Sequence, residues 1–310
     1  MQNVKSLITT RSITIDKLKK YIKMANFFYD SSKINNNRYL QKYPGHILGL
    51  VFYEPSTRTM ASFHAAMSRL GGTSIVIQPE TSSVKKGETL EDTIRTMGIY
   101  TDAIVLRHFD KNSSELAASV TDKAVINGGD GNGEHPTQAL LDIYTIYREL
   151  GKRVFTETIK VLFVGDLKNS RTIHSLIYLL ELFPNIQYIF LSPEKLQMPD
   201  EIKLELKNPS RVCTSYCSGI IEEADVIYMT RIQKERFNSN FEYYEVLKDN
   251  FVLDETNMSR AKPKVIVMHP LPRGDEISKE VDKDSRAVYF KQMEYGVYMR
   301  MAILDDILSK

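Results

Sequence analysis

The sequence predicts an α/β protein with two doubly wound parallel-sheet domains, joined by helices, and an active site in the cleft between them. Three observations support this prediction. Short runs rich in β-branched residues alternate with amphipathic helical patterns, which is the spacing of parallel βαβ units. One long helical pattern interrupts this alternation near the middle of the chain. The length of 310 residues is ordinary for two domains of about 100 to 200 residues each.

Four strand-like runs precede the long helical pattern. They cover residues 46–53, 73–78, 102–107 and 123–127. A helix is predicted after the first run, because Met60, Phe63, Met67 and Leu70 recur at the spacing of one helical face. The glycines that begin at Gly71 are typical of a helix end. The first half of the chain therefore predicts one parallel sheet with helices packed on it.

The long helical pattern covers residues 135–150. Pro136 falls in its first turn and Gly151 just past its end, which are the positions where these residues favour the start and the stop of a helix. Four more strand-like runs follow, at 159–165, 187–192, 224–230 and 264–270. The predicted parts are a first domain at 1–134 with the C-terminal helix 291–310 packing back on it, a linking helix at 135–150, and a second domain at 151–290.

Composition and charge exclude several classes of protein. The 41 Lys and Arg residues nearly balance the 39 Asp and Glu residues, so no bulk field favours nucleic acid or anionic lipid. The chain has no apolar run of about 18 residues that would span a bilayer, and its first residues lack a signal-peptide core. We therefore expect a cytoplasmic protein with no nucleic-acid or membrane partner. The two cysteines, Cys213 and Cys217, and the six histidines show no zinc-site spacing, so we expect no metal or other cofactor.

The clearest chemical feature is the segment Glu54-Pro55-Ser56-Thr57-Arg58-Thr59, which lies between a predicted strand and a predicted helix. Free backbone N–H groups at a helix start, together with three hydroxyls and one guanidinium, favour a bound anion. The same residues also suit an ordinary helix cap, because Ser and Thr are common N-cap residues. Taken alone, the six residues leave both interpretations open.

Two other segments are predicted to reach the same rim of the sheet. Arg107 ends a strand, and His135 opens the long helix after the glycine-rich loop 128–133. In an open parallel sheet, ligands bind outside the carboxyl ends of the strands. The loop lacks the G-x-G-x-x-G order of a dinucleotide site, so we interpret it as a turn that presents the helix start. Beside an anion, a ring N–H of His135 would suit the polarisation of a carbonyl.

Four motifs in this order resemble a known family and span residues 50 to 300. They are EPSTRT, Arg107 in LRH, GEHPTQALLDIYTI and MHPLPRGDEI. The chain is similar to the catalytic chains of aspartate carbamoyltransferases, within the aspartate/ornithine carbamoyltransferase superfamily. The resemblance implies transfer of the carbamoyl group of carbamoyl phosphate to the α-amino group of L-aspartate. The products would be N-carbamoyl-L-aspartate and phosphate, in de novo pyrimidine biosynthesis.

The resemblance also implies roles for individual residues. Carbamoyl phosphate would be bound by Ser56, Thr57, Arg58, Thr59, Arg107, His135, Gln138, Leu271 and Pro272. The last two of these would offer backbone carbonyls to the carbamoyl amide and to the incoming amine. The catalytic residues would be Arg58, Thr59, Arg107, His135 and Lys86. They would act by stabilising the developing oxyanion and the leaving phosphate, without a covalent enzyme intermediate.

A second set of residues would bind aspartate: Ser82, Lys86, Arg171, Arg231 and Gln233. Guanidiniums match carboxylates in geometry, although each arginine taken singly also suits a solvated surface position. The family's serine and lysine at the first two positions reach into a neighbouring subunit's site. This implies a homotrimer with shared active sites. Glu54, Asp166 and Arg236 would be structural ionic partners. The segments around Arg171 and Arg231 also resemble those of members that assemble as two trimers with separate regulatory dimers.

Two alternative functions remain open at this point. An ornithine carbamoyltransferase would share the fold and the phosphate site, but its later motif carries a cysteine where this chain has Pro270, and it lacks the pair of Arg231 and Gln233. A catalytically inactive homologue that serves as a scaffold would be expected to lose Arg58, His135 or Lys86. All three are present.

Overall fold

The structure is a computed structural model of the chain. It describes residues 5–34, 41–79, 82–215, 219–232 and 251–309. The chain divides into two compact units, one formed by Met1–Tyr144 with Met293–Lys310 and the other by Thr145–Gln292. The predicted α/β class is confirmed, since each unit contains one parallel sheet. Within the described residues, no helix combines the length and the apolarity needed to cross a membrane.

The helices and strands follow one another in the alternating order that the sequence predicts. The strands are β1 (Ile47–Phe52), β2 (Thr73–Ile77), β3 (Ala103–His108), β4 (Ala124–Asp130), β5 (Ile159–Val164), β6 (Ile186–Leu191), β7 (Ser210–Cys213), β8 (Val226–Met229) and β9 (Ile266–Met268). The α-helices are α1 (Ile15–Lys33), α2 (Thr57–Arg69), α3 (Leu90–Tyr100), α4 (Ser113–Ser119), α5 (Pro136–Leu150), α6 (Arg153–Thr156), α7 (Arg171–Leu180), α8 (Asp200–Leu204), α9 (Ile220–Glu223), α10 (Glu255–Arg260) and α11 (Tyr289–Leu308).

The first sheet has the strand order β2-β1-β3-β4. Its strands β1, β3 and β4 are buried along nearly their whole length, as expected for parallel strands covered by helices on both faces. The predicted apolar face of α2 is confirmed, because Phe63 and Met67, together with Leu70 directly after the helix, are fully buried. Met60, the first residue of that face, is half-buried. Leu7 adds a parallel bridge to Ile126 on the outer side of β4.

The second sheet has the strand order β7-β6-β5-β8-β9. Its core includes Leu162 and Val164 of β5 and Met229 of β8, all of which are fully buried. Strand β7 was missing from the sequence prediction. It is a four-residue edge strand with mostly exposed side chains, so it has no continuous apolar run that would reveal it.

Each sheet has one point at which the strand order reverses. In the first sheet the chain goes from β1 outward to β2 and then returns to β3 on the other side of β1. In the second sheet the corresponding neighbours are β5 and β8. Ligands of open parallel sheets bind outside the carboxyl ends of strands at such points. The loops after β1 and β3, and after β5 and β8, are therefore the places to look for a site.

Candidate active site

The start of α2 lies at the reversal point of the first sheet, directly after β1. Ser56 is its N-cap residue, but the Ser56 side chain makes no capping hydrogen bond, and the first turn contains no acidic residue. Thr59 is buried, whereas Arg58 is exposed as a residue and makes no ion pair with a described residue. Uncapped N–H groups, the positive end of the helix dipole and a guanidinium thus occur together. This arrangement favours the anion site over the ordinary helix cap.

His135 lies directly before α5 and is 4% exposed. Its Nε2 atom is 3.5 Å from the hydroxyl of Thr59 in α2, and its Nδ1 atom is 3.5 Å from the hydroxyl of Thr137. Both distances are at the outer limit for a hydrogen bond. The structure therefore brings His135 and Thr59, which are far apart in sequence, to one place beside the start of α2.

Arg107 occupies the carboxyl-terminal part of β3 and pairs in register with Phe52 of β1. Its Nη2 atom is 3.2 Å from Oε2 of Glu54, and its Nη1 atom donates to the carbonyl of Gly128 at 3.2 Å. These contacts reach the loop after β1 on one side and β4 on the other. Glu54 and Arg107 therefore form an ion pair beside the start of α2.

Gln138 lies in the first turn of α5, and its side-chain amide donates to Oδ1 of Asp142 at 2.9 Å. Both side chains are buried. Sequence reasoning missed Asp142 as a partner. The available signal was its spacing, because residues four apart on a helix lie side by side.

The sequence predicts residues 128–133 as one loop, but β4 continues through Asp130, so the tight turn before His135 begins only at Gly131. Gly131 has a positive φ of 45°, and a Cβ atom there would lie 2.3 Å from the carbonyl oxygen of Phe109. Only glycine fits such a position. The Asp130 carboxylate accepts the N–H of Glu134 at 2.7 Å and closes the loop on itself. This loop therefore sets the position of His135 and the start of α5.

Arg171 is the first residue of α7, in the connection that follows β5. The buried carboxylate of Asp166 accepts the backbone N–H of Asn169 at 3.0 Å, which shapes the turn before Arg171. A ring nitrogen of His174 lies 2.7 Å from the carbonyl of Leu167. Burial lowers the pKa of His174, so a neutral ring donates this bond at neutral pH. Asp166 and His174 together fix the segment that ends at Arg171.

Arg231 follows β8, the neighbour of β5 at the reversal point of the second sheet. Thr230, directly before it, donates its backbone N–H to the carbonyl of Val164 at 2.8 Å. The backbone segments after β5 and β8 approach each other so closely that a Cβ atom on Gly165 would lie 2.2 Å from the Thr230 carbonyl oxygen. The connections that carry Arg171 and Arg231 therefore leave adjacent strand ends. Two other predicted residues, Gln233 and Arg236, lie outside the described residues.

Leu271 and Pro272 follow β9, which is the next strand beyond β8. The peptide bond between them is cis, and Leu271 has a positive φ of 53°. Leu271 is half-buried and Pro272 is exposed. Because β5, β8 and β9 are parallel neighbours, all the described second-unit residues of the predicted site lie at one edge of one sheet.

Ser82 and Lys86 lie in the connection after β2, where residues Ser83–Lys86 form a 3₁₀ helix. The Ser82 hydroxyl is 3.4 Å from the carbonyl of Pro79. The Lys86 side chain is exposed and makes no ion pair with the part of the chain that the structure describes. Within the sheet, β2 is three strand spacings from β4, roughly 14 Å. No described contact joins Ser82 or Lys86 to His135.

The sequence contains two cysteines, of which the structure describes Cys213. Cys213 is only partly buried, because it lies on the edge strand β7. Cys217 lies outside the described residues. Over the described ranges, there is no group of three or more His, Cys, Asp or Glu side chains arranged to hold a metal ion.

Comparison with family models matches both halves of the chain. The model "Aspartate/ornithine carbamoyltransferase, carbamoyl-P binding domain" matches residues 5–148. The model "Aspartate/ornithine carbamoyltransferase, Asp/Orn binding domain" matches residues 157–307. The two matches divide at the middle helix, close to the boundary between the two compact units.

Individual proteins agree with the family models. The aspartate carbamoyltransferase catalytic subunit of Alkaliphilus metalliredigens is 46% identical over 274 residues, which are 87% of each chain. The catalytic subunit of M. jannaschii aspartate transcarbamoylase is 44% identical with a TM-score of 0.90, over 98% of each chain. An aspartate transcarbamoylase from Trypanosoma cruzi, in complex with carbamoyl phosphate and aspartate, is 39% identical with a TM-score of 0.92, over 98% of this chain and 96% of that one. Other relatives are multifunctional proteins of which this chain covers 12% to 14%.

Proposed function

Because the chain belongs to the aspartate/ornithine carbamoyltransferase family, we propose that it is an aspartate carbamoyltransferase of pyrimidine biosynthesis. The single observation that carries the choice of second substrate is the placement of Arg171 and Arg231 after adjacent strands, at the reversal point of the second sheet. Aspartate offers two carboxylates, which guanidiniums bind in a bidentate manner. The side chain of ornithine ends in an ammonium, which nearby guanidiniums would repel.

The first unit binds the phosphate of carbamoyl phosphate. The free N–H groups at the start of α2 donate to its oxygens together with the hydroxyls of Ser56 and Thr57, and the guanidiniums of Arg58 and Arg107 add positive charge. Two features support this role: the Ser56 hydroxyl makes no capping hydrogen bond, and the first turn contains no acidic residue. A helix start of this kind binds an anion without reorganisation.

The carbamoyl group lies beside the phosphate and is bound by a second set of groups. Thr59 and His135 donate to its carbonyl oxygen, which is supported by the 3.5 Å distance between their side chains. Gln138 contacts the carbamoyl amide, and the backbone carbonyls of Leu271 and Pro272 accept its N–H groups. A proline removes a donor and leaves acceptors at this turn.

Catalysis in this proposal is positioning together with electrostatic stabilisation. The amine of aspartate forms a C–N bond to the carbamoyl carbon, and negative charge develops on the carbonyl oxygen near His135, Arg107 and Thr59. The carbon–oxygen bond to phosphate then breaks. The leaving phosphate accepts the proton that the amine loses, and the helix start and Arg58 stabilise the charge of the phosphate. No side chain is required as a nucleophile.

Turnover with two amines tests the function. The purified chain, given carbamoyl phosphate, is expected to carbamoylate L-aspartate and to leave L-ornithine unchanged, as measured by formation of the carbamoylated amino acid. Preference for ornithine would contradict the assignment of Arg171 and Arg231. Failure with both amines, for a chain that is folded and binds phosphate, would favour the inactive scaffold.

We further propose a homotrimer in which Ser82 and Lys86 complete the site of a neighbouring subunit. The exposed position of Lys86, without an ion pair among the described residues, supports this proposal. Mixing inactive Lys86→Ala chains with inactive His135→Ala chains is then expected to restore about one quarter of wild-type activity, because random assembly leaves that fraction of sites intact.

A matched control separates a shared site from simple stabilisation. Lys86→Ala chains mixed with Ser82→Ala chains place a defective loop in every site, so no additional activity is expected. Mixed trimers are verified by mass measurement. Equal recovery in both mixtures, or recovery in neither, would contradict the shared site.

A separate regulatory chain, in an assembly of two trimers with regulatory dimers, is the remaining partner that we propose. A partner chain that favours one of two states of the trimer would produce sigmoidal dependence on aspartate. The isolated chain is expected to show hyperbolic aspartate dependence that nucleotides do not alter. Sigmoidal, nucleotide-sensitive kinetics of the purified chain alone would contradict this prediction.

A further inference from the structure

The loop from His269 to Glu276 is closed by a buried hydrogen-bonded pair. His269 Nε2 lies 2.7 Å from Oε1 of Glu276, and the two side chains are 1% and 9% exposed. His269 Nδ1 accepts the backbone N–H of Leu271 at 2.8 Å. Because Nδ1 acts as an acceptor, the ring proton is on Nε2, which donates to the carboxylate. Both ring nitrogens are therefore occupied within the loop, which leaves His269 no free nitrogen for a substrate.

Glu276 also holds the far side of the same loop. Its two carboxylate oxygens each lie 3.0 Å from the backbone nitrogen of Gly274. Burial alone would raise the pKa of Glu276, but the hydrogen bonds from His269 and Gly274 outweigh this effect and hold the pKa below its ordinary value. A charged carboxylate thus ties two backbone segments of the loop to one imidazole.

Two further contacts, one at each side of Leu271 and Pro272, fix the loop to the rest of the second unit. The backbone N–H of His269 donates to the side chain of Gln292, which is fully buried in α11, at 3.0 Å. Arg273 pairs with Asp282 and donates to the hydroxyl of Tyr289 at 2.9 Å. The segment between these anchors holds Leu271 at a positive φ, which non-glycine residues adopt only where their surroundings impose it.

We propose that His269 and Glu276 are positioning residues that aim the backbone carbonyls of Leu271 and Pro272 at the carbamoyl amide of the substrate. This inference rests on the proposed function, which gives those two carbonyls their ligand. The N–H of Leu271 is held by His269, and the peptide planes that follow inherit their orientation from it. A displacement of reacting groups by about 1 Å costs on the order of 100-fold in rate, so the pair affects turnover without touching the substrate.

Two substitutions of one side chain separate its two hydrogen bonds. In His269→Asn the amide oxygen lies near the former Nδ1 atom and can still accept from Leu271, but the bond to Glu276 is lost. In His269→Gln the amide nitrogen reaches towards Glu276, but the acceptor for Leu271 is lost. We expect His269→Gln to lower kcat about 100-fold, with KM for aspartate changed by less than about threefold. Glu276→Gln and His269→Asn are each expected to lower kcat about tenfold.

The control is Arg260→Gln, which breaks an exposed ion pair with Glu222 in the same unit and is expected to leave kcat unchanged. Kinetics are measured well below the thermal midpoint of each variant. A purely structural role would lower the midpoint and leave the kcat of the folded enzyme intact, and that result would overturn the proposal. If His269→Gln does not fold, Glu276→Gln decides in the same way.

Backbone amide hydrogen exchange distinguishes failure of this inference from failure of the proposed function. If wild-type chain turns over aspartate, the variant kinetics decide. If the wild-type chain has no carbamoyltransferase activity, the proposed function fails. The exchange rate of the Leu271 amide then tests whether His269 holds the loop through its contact with Leu271. Faster exchange in His269→Gln than in His269→Asn supports the assigned contacts, and equal rates overturn them.

Discussion

Replacing Arg58 by alanine is expected to lower kcat about 100-fold or more, since the loss of one preorganised donor to a developing charge typically has that effect. Arg58 lies in the first turn of α2, is exposed as a residue, and has no ion-pair partner among the described residues. Its positive charge is thus available to an anion at the helix start. In the reaction, phosphate carries more negative charge as it leaves, so the loss is expected in kcat.

Gln233→Ala provides the contrast to Arg58→Ala. This substitution is expected chiefly to raise KM for aspartate, because Gln233 is assigned to substrate binding and not to the leaving group. Arg95→Ala serves as the matched control, since Arg95 forms an exposed ion pair with Asp92 within α3. Steady-state kinetics with both substrates varied give the two parameters. An Arg58→Ala enzyme with near-normal kcat would refute the phosphate-site assignment.

Replacing Gly165 by alanine is expected to destabilise the second unit by about 2 to 4 kcal/mol. Gly165 has a φ of 117°, which side-chain-bearing residues rarely adopt, and its Cβ atom would lie 2.2 Å from the carbonyl oxygen of Thr230. A backbone atom cannot swing aside as the end of a flexible side chain does. The ends of β5 and β8 must therefore separate, which displaces the segments that carry Arg171 and Arg231.

Two measurements test the Gly165→Ala prediction. Denaturant unfolding measures the loss of stability. KM for aspartate is expected to rise, because Arg171 and Arg231, which are assigned to aspartate binding, are displaced. Gly151→Ala is the matched control, since Gly151 also has a positive φ, 64°, but nothing lies within 4 Å of the added Cβ atom. Gly151→Ala is expected to lower the free energy of unfolding by about 1 kcal/mol. Equal destabilisation by the two substitutions would show that the close approach of the strand ends does not add to the destabilisation by Gly165→Ala.

Several features of the candidate site could be read from sequence because they depend on neighbouring residues. The helix start at Thr57, the glycine turn before His135 and the position of Arg107 in a strand follow from local periodicity and turn chemistry. Partners that lie on different segments could not be read in this way. The contact of Arg107 with the Gly128 carbonyl requires β3 and β4 to be neighbours. Strand β7 was missed because its stability comes from pairing with β6 and not from an apolar run of its own.

Local sequence patterns predict the α/β class, the order of the helices and strands apart from β7, and the residue types that are able to bind an anion or a carboxylate. The strand orders, and with them the residues that come into contact, became known only from the folded structure. That structure placed β1 beside β3 and β5 beside β8, set the hydroxyl of Thr59 3.5 Å from His135, and closed the loop of Leu271 with a buried histidine–carboxylate pair. Periodicity indicates whether a strand is buried, but it does not indicate which strand lies beside it. That choice depends on the packing of the whole sheet and its helices.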